Sequence, residues 1–166
     1  MIDAALTTSV SAEDFKFAFR HHPAGVAVVT ADAGNGPVAM TVSSLSSVGI
    51  APPTLVFSAS PRSSATPVIR EAGTLVVHML ASTSGVDRFG EDVNWDRLPT
   101  GEPYYPEASE WLRGRIIGRL DINGSTLVVV EALQAKPRED VEHDDRLPLV
   151  YHNRTWHALG DHSRLG

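Results

Sequence analysis

Apolar positions along this chain come in short runs separated by turn-forming residues. Residues 26–30 form a β-branched run that predicts a buried strand, and residues 38–45 predict a second one beyond the turn Gly34-Asn35-Gly36-Pro37. Together they read as a hairpin. Further strands are expected at 55–58 and 75–80. Residues 115–122 and 126–133 are joined at Asn123-Gly124, the dipeptide favoured in two-residue hairpin turns. Residues 147–151 and 155–159 flank Asn153-Arg154 and predict a final hairpin. Helices are fewer. Ser11 reads as an N-cap, Glu13 and Asp14 as an acidic first turn, and Phe15, Ala18 and Phe19 share one face before His21-His22-Pro23 ends the helix. Thr66-Pro67 predicts an N-cap with proline at the first helical position, and Gly73 predicts the stop. Residues 82–110 are rich in glycine, proline, acids and aromatics, and predict a short helix and a long loop suited to a lid or a subunit contact. About eight short strands joined mostly as hairpins make an antiparallel β-barrel with peripheral helices.

Composition narrows the class further. A chain of 166 residues, 42% hydrophobic and 20% charged, suits one domain with one core. Its net charge is −6, and the excess acid sits in residues 91–166, with 14 acidic against 9 basic side chains. No basic stripe offsets it, so a nucleic-acid binder is not expected. Cysteine is absent, which excludes disulfides, thiolate nucleophiles, iron–sulfur clusters and cysteine-bound zinc. No run approaches the roughly 20 apolar residues of a membrane-spanning helix. The N-terminus lacks the basic region and long apolar run of an export signal, so no membrane association and a cytoplasmic location are expected.

Several motifs carry candidate chemistry. Residues 34–39 match the dinucleotide pattern G-x-G-x-x-A in letters, but the next segment favours a strand, whereas that fingerprint needs a helix start. A hairpin turn is expected instead. Thr41, Ser43, Ser44, Ser46 and Ser47 put hydroxyls on both faces of a barrel strand, where unpaired burial would cost stability. Two readings stand: an edge strand facing water, or a strand end meeting a polar ligand. Residues 60–66 place three serines, Thr66 and Arg62 just before a helix start, a donor set suited to phosphate but also to a solvated loop. The seven histidines show no metal-ligand spacing, and no G-x-S-x-G elbow is present. No metal is expected.

Three segments in order then give a resemblance: residues 23–30 (PAGVAVVT), residues 40–48 (MTVSSLSSV) followed by Pro52-Pro53, and Arg62-x-Ser64-x-Thr66 leading into a helix. With Trp111-Leu112, residues 126–131 (TLVVVE) and the closing residues 148–152 (PLVYH) before Trp156-His157, the chain resembles the flavin reductase-like family over roughly residues 15–160. The resemblance implies a single domain, a six-stranded antiparallel Greek-key split barrel with peripheral short helices, forming a homodimer with flavin near the interface. It implies an NAD(P)H:flavin oxidoreductase using FMN or FAD, and a separate monooxygenase component as recipient of reduced flavin. Thr41, Val42, Ser43 and Ser44 would meet the ring and ribityl chain, and Ala59, Ser60, Arg62, Ser64 and Thr66 the ribityl and phosphate. Phe89, and Trp156 or His157, would cover the open ring face. Many members carry a histidine near flavin and nicotinamide where this chain has Ser125, which cannot titrate near neutrality. Ser125 and His157 are therefore the candidate nicotinamide-side residues. Two alternatives stay open: a flavin-binding protein without efficient NAD(P)H turnover, and a flavin-dependent oxidoreductase acting directly on another small molecule.

Overall fold

A computed structural model describes residues 9–81, 93–137 and 147–166. Its strands are β1 (Ala24–Gly25), β2 (Ala27–Asp32), β3 (Pro37–Val42), β4 (Ser46–Ile50), β5 (Pro53–Ala59), β6 (Thr74–Met79), β7 (Asp96–Arg97), β8 (Pro103–Tyr104), β9 (Glu110–Ile122), β10 (Ser125–Ala135), β11 (Leu149–His152) and β12 (Thr155–Ala158). The helices are α1 (Ala12–Arg20) and α2 (Thr66–Glu71). The main sheet runs β3-β2-β6-β9-β10-β5-β4, with every neighbouring pair antiparallel.

The sheet curls around an apolar interior. Alternate residues of each strand turn inward, so Val29 of β2, Met40 of β3, Phe57 of β5, Val77 of β6 and Val128 of β10 meet in one cluster. Ile69 of α2 joins that cluster. Fully burying a side chain such as Phe57 contributes about 1.5–3 kcal/mol. Long β9 and β10 curve because their pairing slips between Val129 and Val130 and again between Ala132 and Gln134. Close packing of this pair requires Gly114, where a Cβ would lie 2.3 Å from Val130 Cγ1 and 2.9 Å from the Glu131 carbonyl oxygen.

The outer face of β2 is covered separately. β1, β11 and β12 form a second sheet, and Val26, Val28, Leu80 and Leu149 pack between the two. The β7–β8 hairpin lies nearby, where Thr30 Oγ1 donates to the Pro103 carbonyl at 2.5 Å.

Three expectations change. The sheet has seven strands rather than six, because β4 adds to the outer edge of β5. All five residues of β4 are exposed, so no burial pattern announces it. The region expected as helix and loop contains β7, β8 and the start of β9, while residues 82–92 lie outside the described residues. Finally, Thr66 does not cap α2. It is the first helical residue, Ala65 takes the cap position, and the Thr66 hydroxyl donates to the Ser60 carbonyl at 2.6 Å.

Other expectations hold. Ser11 accepts the Asp14 amide at 3.0 Å and caps α1. Asp32 accepts the amides of Gly34 and Gly36 at 2.7 and 3.1 Å, making residues 32–36 a turn and no helix start. Asn123-Gly124 and Asn153-Arg154 each join two strands with both residues at positive φ. Helix α1 buries none of its residues, and the Phe15 and Phe19 rings meet at 4.6 Å on its exposed face.

Candidate functional site

β3 pairs with β2 along one edge only, so its other edge keeps backbone groups unpaired by strand neighbours. Its sequence splits cleanly by face. Met40 and Val42 are buried in the barrel, whereas Ala39, Thr41 and Ser43 are exposed. The two readings of the hydroxyl strand therefore describe one object, an edge strand whose hydroxyls line a groove.

That groove has a volume of about 430 Å³ and runs along residues 39–44 to Ser58, Ser60 and Ser63. Ser58 faces it because its neighbours Phe57 and Ala59 are committed to the interior. Ser44 bridges the gap between the sheet's two ends: the Ser58 amide donates to Ser44 Oγ at 2.9 Å, and that hydroxyl reaches the Ser58 carbonyl at 3.4 Å. The loop after β5 is held by its own serines. Ser60 Oγ accepts the Arg62 amide at 3.2 Å, and Ser63 Oγ accepts the Ala65 amide at 3.3 Å. Gly124 abuts this loop, with Pro61 side-chain carbons 3.8 and 3.9 Å from its would-be Cβ.

Thr41, Val42, Ser43, Ser44 and Ser60 all line the groove. Ala59 and Thr66 are buried beside it in the barrel wall and the start of α2. Arg62 and Ser64 are exposed on the same loop, outside the lining. Ser125 is half-buried at the start of β10, and His157 is exposed on β12 with its ring 5.8 Å from His152; neither lines a described cavity. Phe89 lies outside the described residues. Sequence reasoning missed Ser58, and named Ser63 only within the donor run of residues 60–66. Alternation along β5 was a usable signal for Ser58.

A second cavity of about 270 Å³ shares Thr41 and Ser43 with the groove and adds Val26, Tyr151, Arg154 and Trp156. The β11–β12 hairpin builds it. Tyr151 and Trp156 are cross-strand partners whose rings meet at 4.8 Å. A third cavity, of about 130 Å³, touches the groove at Ala39 and is lined by Trp95, Tyr104 and Tyr105.

No ionisable side chain lines the groove, so its donors are hydroxyls and backbone amides. The shifted groups lie outside its lining. Burial pulls His78 down to about 4. Burial pushes Glu102 up, but hydrogen bonds from Thr100, Thr74 and Arg113 outweigh it and hold the carboxyl below its ordinary value. Asp32 is also lowered, chiefly by its hydrogen bond from Arg97. Among the described residues, no group of three His, Asp or Glu could hold a metal ion, and no helix is long and apolar enough to cross a membrane.

Residues 19–160 match the family described as flavin reductase like domain. An NADH:FMN oxidoreductase of Rhodococcus erythropolis is 35% identical over 157 residues, covering 89% of this chain and 81% of that protein. Among solved structures, a flavin reductase domain protein from Arthrobacter sp. FB24 superposes with a TM-score of 0.78 at 31% identity, over 89% of this chain and 95% of that one. BorF, the flavin reductase component of a bacterial two-component tryptophan halogenase, gives 0.73 at 25% identity, over 91% and 99%.

Proposed function

Because this chain belongs to the flavin reductase like family, we propose that it is an NAD(P)H:flavin oxidoreductase acting with flavin mononucleotide in the groove beside β3. The observation that carries the reading is the junction of the two cavities at Thr41 and Ser43. Two planar reactants must stack at near contact, and two cavities that share these lining residues offer a place for each.

The residues present fit the cofactor. A volume of 430 Å³ lies within the range of small-ligand sites, and the hydroxyl lining suits a ribityl chain and phosphate. Bound flavin supplies the redox chemistry, accepting a hydride from reduced nicotinamide. Everything else falls to the chain. Thr41, Ser43 and the free edge of β3 orient the ring by hydrogen bonds. Ser44, fixed by Ser58, keeps that edge at a set distance from β5. Ser60 and Ser63 present donors towards the tail, and Arg62 adds a cation on the same loop. Ala59 and Thr66 hold that loop from within.

A homodimer with the flavin near its interface belongs to the same reading. β4 exposes Val48 and Ile50, and the second half of β9 exposes Ile117, Leu120 and Ile122; these exposed apolar side chains support a subunit contact. Reduced flavin would pass to a separate oxygenase or halogenase component, as the description of BorF implies for that protein. Rapid mixing of FMN-loaded protein with NADH and with NADPH tests the activity. Bleaching of the flavin's visible absorbance is expected, and no bleaching with either donor would overturn the assignment.

A further inference from the structure

The second cavity is lined by an arginine in a backbone conformation that its residue type does not favour. Asn153 and Arg154 form the two-residue turn between β11 and β12, at φ 48° and 63°. Left-handed backbone at both central residues favours Asn-Gly, and the chain uses that pair at Asn123-Gly124. At residue 154 it uses Arg instead, against the steric cost of a Cβ at positive φ. Strain kept at one position is a reason to ask what the side chain does there.

The surroundings of Arg154 narrow the answer. Arg70, Arg97, Arg113, Arg115 and Arg164 each hold a carboxylate, and Arg119 holds the Ala72 carbonyl. Arg154, like Arg20 and Arg62, makes no ion pair among the described residues. It is also the one ionised side chain lining any of the three cavities described above. Beside it, Trp156 leaves 44% of its surface exposed, and its ring is braced by Tyr151. The floor of the cavity is Thr41 and Ser43, shared with the groove.

We propose that Arg154 is a substrate-binding residue that grips the phosphate next to the nicotinamide riboside of the hydride donor. This rests on the reductase reading. A cavity of 270 Å³ is smaller than most whole-ligand sites, so it holds the nicotinamide end of a dinucleotide and leaves the adenosine outside. With the nicotinamide ring over Thr41 and Ser43, the first charged group along the donor is the phosphate on the nicotinamide ribose. The guanidinium at the cavity wall meets it there, and Trp156 covers the apolar side. NADH and NADPH share that phosphate, so Arg154 raises affinity for both without choosing between them.

Arg154→Gln keeps the turn's Cβ and removes the charge; Arg154→Lys keeps the charge without the planar fork. In FMN-loaded protein, Arg154→Gln is expected to raise KM for NADH and NADPH alike by about 10- to 100-fold, with a smaller change in kcat and partial rescue in Arg154→Lys. Direct titration of NAD⁺, followed by tryptophan fluorescence, should weaken by a similar factor, while FMN affinity stays within about twofold. Dihydronicotinamide riboside, which has no phosphate, should react equally well with wild type and Arg154→Gln. A loss confined to NADPH would overturn the proposal by placing the contact at the adenosine 2′-phosphate. An equal loss with the riboside would overturn it by showing a structural defect, and an unchanged KM would overturn it outright. Failure of the reductase reading is separate: wild-type protein would then oxidise none of these donors.

Discussion

Lowering the pH from 7 to 5 should weaken the fold through a single buried ring. His78 lies on β6 with none of its surface exposed, between β2 and the segment after β8. Its Nδ1 is 2.9 Å from the Val28 carbonyl, so that nitrogen carries the proton and donates. Its Nε2 lies 3.1 Å from the Tyr105 amide and accepts. The neutral ring is therefore fully satisfied. A second proton would create a buried charge and aim a donor at the Tyr105 N–H. Burial accordingly pulls the pKa from 6.5 to about 4. An unfolded chain takes up a proton near pH 6.5, and the folded chain does so only near 4. Between those values the unfolded state binds more protons, so stability falls as pH falls, by about 1.4 kcal/mol per pH unit and about 3 kcal/mol in all. Above pH 6.5 that contribution is fully present. The lowered carboxyls Glu102 and Asp32 act later: their stabilisation is present above ordinary values of 4.5 and 3.8 and is lost only below them. The window from pH 6.5 to 5 thus separates His78 from those two carboxyls. Urea unfolding at several pH values and one fixed protein concentration measures the slope. His78→Gln should cost stability at pH 7 but flatten the dependence in that window. Equal stability at pH 7 and 5 in the wild type, or an undiminished slope in His78→Gln, would refute the assignment.

Three further substitutions probe other parts of the molecule. Arg62→Ala should weaken FMN binding by about 10- to 100-fold in a fluorescence titration through loss of a charge-assisted contact, and unchanged affinity would put the phosphate elsewhere. Gly114→Ala drives a methyl into Val130 and the Glu131 carbonyl, so it should destabilise by about 1–3 kcal/mol or more, read as a lower thermal midpoint. Ile50→Lys puts a charge on the exposed β4 face, where Ile50 is 92% accessible. Light scattering should show wild-type dimers and variant monomers, and an unaltered dimer would move the interface off β4.

What was legible in the sequence depended on whether a local pattern had one physical cause. Asn123-Gly124 announced the β9–β10 hairpin because left-handed backbone at two successive residues leaves few alternatives. The buried strands β2 and β6 showed as β-branched runs because both of their faces are covered. β4 was not legible, since an edge strand with five exposed residues needs no apolar periodicity. The β7–β8 hairpin was equally hidden, with two residues per strand in a segment rich in turn formers. At the site, the hydroxyls of residues 41–44 stood out because no barrel interior calls for them. Ser63 came to the groove through a loop held by serine side chains, and Tyr151 and Arg154 through a distant hairpin. Such convergence depends on tertiary register, which one chain's pattern does not encode. Arg154 did leave a local mark, as an Asn-Arg pair where hairpin chemistry favours Asn-Gly.

The opening in the barrel follows from what the site requires. Were β3 paired with β5 along its length, the sheet would close and every edge amide of β3 would be spent on the ladder. An exposed edge is otherwise a hazard, because it templates pairing with another chain. This chain keeps the edge and restricts it. A side chain, Ser44, links the two ends by hydrogen bond, its oxygen taking the Ser58 amide that a strand neighbour would have taken. Beyond that point β5 turns instead to β4, which fills its outer edge and leaves β3 free. Polar groups along the gap can then be satisfied by water or by a ligand's ribityl and ring heteroatoms. Small side chains at Ala39 and Ser43 would let a flat ring approach the backbone closely, and Thr41 offers a hydroxyl where an aliphatic side chain of the same size would offer none. On the proposed reading, the features that weaken β3 as a barrel strand are the ones that would suit it to hold a flavin, and the second cavity, which shares Thr41 and Ser43, would take the other reactant.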